Sequence, residues 1–97
     1  MLKTRAEVIE SLSQVKKKLQ SEYKITRLAL FGSYARGDQT EESDVDVFVE
    51  VDPSIGLEFV TLANQIEKAV GLPTDVVSSR SLKSGYRQMI EEELLDV

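Results

Sequence analysis

Ser43-Asp44-Val45-Asp46-Val47-Phe48-Val49-Glu50 decides how this chain folds. Val45, Val47 and Val49 alternate with Asp46, Phe48 and Glu50, the period-two pattern of a β-strand, and predict a strand over residues 45–50 with its valines packed inward. Asp44 and Asp46 then project together from the opposite face, about 7 Å apart by strand geometry. Upstream, Ile25-Thr-Arg-Leu-Ala-Leu-Phe31 is a short apolar run with a polar start. It predicts a strand over 25–31, buried on both faces and ended by Gly32. Thr4 and Glu7 match a capping box, and Val8, Leu12, Val15 and Leu19 recur as one stripe of a helix over about 5–21. Downstream, Asp52 and Pro53 break the valine strand, and Phe59, Leu62, Ala63, Ile66 and Val70 mark a helix over 56–70. Gly71 suits its C-cap and Pro73 prevents its continuation. A short strand over 74–78 carries Asp75, and a last helix spans about 82–92 in spite of Gly85, after which the chain runs out through Leu94 and Leu95. Alternating helices and strands give an α/β fold, a small twisted sheet with helices packed against it, whose connections leave parallel and antiparallel pairings open.

At 97 residues with 41% hydrophobic content and two prolines, the chain is sized for a single domain over 1–97 with one core. No apolar run approaches a membrane span, and the mixed start Met1-Leu-Lys-Thr-Arg-Ala-Glu-Val-Ile-Glu10 is unlike a secretory leader, so a cytoplasmic address is expected. The absence of cysteine and histidine removes thiolate and imidazole ligands and the commonest neutral-pH base. Metal chemistry is left to carboxylates, which suit magnesium or manganese. Seventeen acidic against twelve basic residues give a net charge of -5, which argues against direct nucleic-acid binding. Lys16, Lys17 and Lys18 form the one tight cationic cluster, read as the solvated outer face of the first helix.

Gly32-Ser33 follows a hydrophobic strand directly. Glycine admits close approach of a ligand to the backbone, and the free amides of a following helical turn, with the Ser33 hydroxyl, suit triphosphate oxygens. Alone, such a pair is also an ordinary turn. The carboxylate pair has two readings as well: a solvated acidic edge, or a repulsive pair that a divalent ion neutralises. The packed valine face favours the second, because it holds both groups on a rigid strand beside the Gly-Ser turn. Asp75 is either a strand-start residue or a third carboxylate able to complete a ligand set and accept a proton. Arg36 could contact a phosphate or pair with an aspartate, Ser43 could bond backbone or ligand, and Tyr34 is read as packing.

The segment Gly32-Ser33-Tyr34-Ala35-Arg36-Gly37, five residues, then Ser43-Asp44-Val45-Asp46, resembles the signature of the DNA polymerase beta-like nucleotidyltransferases. The similarity in plan runs from about Ile25 through Val77, and the chain more closely resembles the minimal nucleotidyltransferases, often the antitoxin partners of HEPN-domain proteins. The resemblance implies that Gly32 and Ser33 hold the triphosphate of ATP, that Asp44 and Asp46 bind two magnesium ions, and that Asp75 is the third acidic residue. It implies transfer of AMP to an acceptor hydroxyl with release of pyrophosphate, the acceptor being a tyrosine of a HEPN-type toxin. Two other readings stand beside it: half of a small-molecule nucleotidyltransferase completed by a dimer or neighbour, and a non-catalytic nucleotide-binding module that neutralises its partner by occlusion.

Overall fold

The computed structural model describes residues 3–97. Helix α1 (Arg5–Tyr23) opens with the capping box: Thr4 Oγ1 accepts from the Glu7 amide at 3.1 Å, and Glu7 Oε1 accepts from the Thr4 amide at 3.1 Å. It buries Val8, Leu12 and Leu19 and runs two residues further than expected, to a left-handed cap at Lys24. Strand β1 (Arg27–Phe31) leads into the short helix α2 (Gly32–Arg36), and strand β2 (Val45–Glu50) matches the valine alternation. Helix α3 (Glu58–Val70) starts later than the sequence suggested. Asp52 Oδ1 accepts from the Ser54 amide at 2.8 Å and caps a separate 3-10 turn at Pro53–Ile55, which Gly56 ends at φ 56°. Strand β3 (Thr74–Ser78) and helix α4 (Ser84–Glu93) follow, and Gly85 does not prevent α4 from forming.

One element was not expected. Leu95–Asp96 form a fourth strand, β4, antiparallel to β1 with Leu95 opposite Leu30 and Asp96 opposite Ala29. Two residues are too few for any alternation to register, and the strand is made by long-range contacts. Arg27 donates to Asp96 from Nε at 2.7 Å and Nη2 at 3.1 Å, the Val97 amide donates to the Leu28 carbonyl at 3.1 Å, and Lys16 Nζ donates to the Val97 carbonyl at 2.6 Å. Lys16 is therefore half-buried and structural, whereas Lys17 and Lys18 are exposed as the outer-face reading required.

The sheet is mixed, in the order β3-β2-β1-β4, with β2 antiparallel to β1 and parallel to β3 across the α3 crossover. Under α1 and α3, Leu28 and Leu30 meet Val45, Val47 and Val49, all essentially inaccessible to solvent. On the other face Ala29, Phe31 and Phe48 are covered by Ile90 of α4. The face that carries Asp46 is thus divided: Phe48 is sealed beneath α4, and the Asp46 end stays open. Among the described residues no helix is long and apolar enough to cross a membrane.

Candidate active site

Antiparallel pairing sets Phe31, the last residue of β1, opposite Asp46, and parallel pairing sets Asp75 beside Asp46 on the other side. Gly32 follows Phe31 at φ 73°, a left-handed conformation that glycine adopts without strain. A Cβ at this position would run into Asp46 Oδ2 and lie 3.1 Å from Asp46 Cγ. The Asp46 carboxylate therefore rests directly on the Gly32 backbone, which only a residue without a side chain permits. Beyond Gly32 the α2 turn closes on itself: the Ser33 carbonyl accepts from the Gly37 amide at 2.8 Å and the Asp38 amide at 3.1 Å, with Gly37 at φ 86°. Tyr34 is 1% exposed and anchors the turn in the core, as its packing role required.

Gly32, Ser33, Arg36, Asp44, Asp46 and Asp75 all line one cavity of about 520 Å³, within the range of small-molecule sites. Ser43 does not line it. Its Oγ accepts from the Thr40 amide at 2.9 Å, closing a turn at a neighbouring smaller pocket that Ser43 and Asp44 both line. The other wall comes from residues that sequence reasoning did not single out for chemistry: Phe31, Val77, and Tyr86, Met89, Ile90 and Glu93 of α4. These four α4 positions fall at i, i+3, i+4 and i+7, one helix face. The available signal was a carboxylate at the end of an apolar stripe, hidden inside the acidic run Glu91-Glu92-Glu93.

Arg36 is the cation of the site. Its Nε donates to Asp38 Oδ2 at 3.1 Å and its Nη1 to Glu93 Oε1 at 2.9 Å, and these bonds to Asp38 and then Glu93 hold the guanidinium more firmly protonated. Glu93 Oε2 also accepts from the Gly32 amide at 3.3 Å. Asp44 and Asp75 are exposed and Asp46 is half-buried. Burial pushes the Asp46 carboxyl above its ordinary value of 3.8, the charges of Asp75 and then Asp44 push it further, and Arg36 opposes them. Among the described residues no three carboxylates converge closely enough to ligate one metal ion unaided.

Because folded Asp46 holds its proton more tightly than the unfolded chain does, stability falls as pH rises from 3.8 through the raised value. Asp46→Asn removes that loss. In EDTA at neutral pH the variant is expected to melt above the wild type, the difference closing as pH is lowered towards the ordinary aspartate value. A calorimetric pH series checks this, and a variant melting lower at neutral pH would contradict it.

The sequence profile of a family described as "Nucleotidyltransferase domain" matches residues 12–97. The chain belongs to that family. It is a minimal nucleotidyltransferase domain of the DNA polymerase beta-like superfamily, with nucleotidyl transfer as its chemistry. MJ1379 of Methanocaldococcus jannaschii, which bears the provisional name of a protein adenylyltransferase, is 45% identical over 101 residues, 99% of this chain and 100% of that protein. The protein adenylyltransferase MntA of Thermococcus cleftensis is 36% identical over 96 residues, 97% of this chain and 96% of the relative. A solved toxin-antitoxin structure with AMP-PNP superposes with a TM-score of 0.68 at 25% identity, over 95% of this chain and 70% of that one.

Proposed function

We propose that the chain transfers AMP from ATP to a tyrosine hydroxyl of a HEPN-type toxin partner and thereby acts as its antitoxin. The observation that carries this reading is the placement of the Asp46 carboxylate on the Gly32 backbone, with Asp75 beside it and Arg36 on the rim of the same cavity. Such an arrangement sets carboxylates against the turn that receives a triphosphate. The choice of a protein acceptor is supported by the relatives named as protein adenylyltransferases, and that of a toxin partner by the likeness to a toxin-antitoxin structure holding AMP-PNP.

Hard oxygen donors whose mutual repulsion Arg36 relieves only in part fit a divalent cation, and their failure to form a closed cage fits magnesium, which keeps water and phosphate oxygens among its ligands. Asp44 and Asp46 would hold two such ions with Asp75 adding a third carboxylate, and the ions would draw charge from the triphosphate and acidify the attacking hydroxyl. Gly32 lets the phosphates approach the backbone closely, Ser33 brings its amide and hydroxyl to them, and Arg36 adds a fixed positive charge. Asp75, on the exposed side of the cluster, accepts the phenolic proton. The tyrosine oxygen attacks the α-phosphorus, the bond from that phosphorus to the oxygen bridging the β-phosphate breaks, and pyrophosphate leaves. Tyr86 and Met89, 56% and 65% exposed, give the cavity an apolar rim on which a partner surface can close and exclude water.

Intact-mass spectrometry tests the proposal. Purified chain, magnesium, ATP and a HEPN-type toxin are incubated together, and the partner is expected to gain one or more AMP units at tyrosine, with loss of its toxicity. Inhibition of the partner without a change in its mass would replace the enzyme with an occluding antitoxin.

A further inference from the structure

Glu93, half-buried at the end of α4, makes contacts that its exposed neighbours Glu91 and Glu92 do not make with α2. One of its oxygens accepts from the Gly32 amide at 3.3 Å and the other from Arg36 Nη1 at 2.9 Å, so a single carboxylate spans both ends of α2. Its negative charge also raises the Asp46 carboxyl, an unfavourable placement that the two donors offset. The contact is anchored from outside the site. Two residues after Glu93 the chain enters β4, and β4 is registered against β1, the strand that leads directly into Gly32. Strand β1 and its neighbour β4 thus deliver the two partners to each other. Arg36 keeps donors in reserve: Asp38 takes its Nε hydrogen and Glu93 one on Nη1, while neither engages Nη2.

We propose that Glu93 is a positioning residue of the nucleotide site. It fixes the Gly32 turn through its amide and orients the Arg36 guanidinium, so that Ser33 and the unused Arg36 donors meet the triphosphate in one prepared geometry. This rests on the nucleotidyl-transfer reading of the cavity. A carboxylate that merely occupied a phosphate position would have to leave on binding, and its removal would tighten nucleotide affinity. A positioning carboxylate behaves in the opposite way, since losing it frees a long arginine side chain whose ordering must then be supplied by the ligand.

The test uses Glu93→Gln, which keeps the shape of the side chain, together with Glu93→Ala, Arg36→Ala and the Arg36→Ala/Glu93→Ala double variant. Affinity for magnesium-bound α,β-methylene-ATP is measured by calorimetry well below each melting temperature, and the Gly32 amide resonance is followed by NMR without nucleotide. Glu93→Gln is expected to weaken analogue binding and raise the KM for ATP about fivefold, with a smaller change in kcat, and to shift the Gly32 amide; the exposure of the pair keeps the effect from being larger. Glu93→Ala should weaken binding further, and the same substitution should cost less in the Arg36→Ala background than in the wild type, because part of its effect acts through Arg36 and only the Gly32 contact then remains to be lost. Glu93→Gln that binds the analogue as tightly as the wild type, or more tightly, overturns the inference even if its melting temperature falls. A wild-type protein that binds no analogue overturns the nucleotidyl-transfer reading, and this inference with it.

Discussion

Asp46→Asn is expected to lower AMP transfer by about 10²- to 10³-fold, the scale on which a fixed electrostatic contact to a transition state acts. The same change is expected to stabilise the metal-free fold, because it removes a half-buried negative charge that Asp75 and Asp44 oppose. Loss of activity with gain of stability separates a charge kept for chemistry from one kept for packing. The substitution leaves Val45, Val47 and Val49 untouched, so the strand that holds the residue persists. Asp44→Asn should lower transfer on a comparable scale with little effect on melting, since Asp44 is exposed. Turnover by the partner-modification assay, set beside calorimetric melting in EDTA, checks both variants. Transfer by metal-replete Asp46→Asn at the wild-type rate would remove the carboxylate from the mechanism.

Gly32→Ala is expected to be nearly as damaging to transfer, with a loss of about 10²-fold or more, through a different cause. Alanine at φ 73° carries a left-handed strain of about 1–2 kcal/mol, and its Cβ meets Asp46 Oδ2. The turn or the carboxylate must move, and displacement of a reacting group by about 1 Å is enough for a loss of this order. The melting temperature should fall by about 5 to 10 °C, in line with the strain in a chain of this length. A crystal structure of the variant with Asp46 displaced would locate the cause. Wild-type transfer by a folded Gly32→Ala would show that contact between the carboxylate and the glycine backbone is not needed.

The parts of this architecture legible in the sequence are those in which one face is buried over several residues. The valine alternation of β2, the stripe and capping box of α1 and the Gly71 stop of α3 each repeat a local rule, and the structure has them within a few residues of their expected bounds. Gly32, Ser33, Arg36, Asp44, Asp46 and Asp75 were legible as site candidates because their types and spacing stand out, and the fold brings them to one cavity. Strand order, β4 and the α4 wall were not legible. Leu95 and Asp96 are a strand only because Arg27 and the Leu28 carbonyl wait for them far back in the chain. Glu93 reads locally as one of three solvated glutamates, and only the docking of α4 on Phe48 turns it towards Gly32.

The sheet order also sets a sequence of events in time. Strands β1 and β2 are joined by the very segment that bears the Gly-Ser turn, so pairing of neighbouring strands closes the loop holding half of the site. The pairing of Ala29 with Asp96 spans most of the chain and must overcome a larger loop-closure entropy. Nucleation at β1 and β2, with β4 docking late, makes the two sides of Gly32 unequal as the protein refolds: the Asp46 side is in place early and the Glu93 side last. Substitutions in β2 would then chiefly slow folding, whereas breaking the Arg27–Asp96 pair would chiefly speed unfolding.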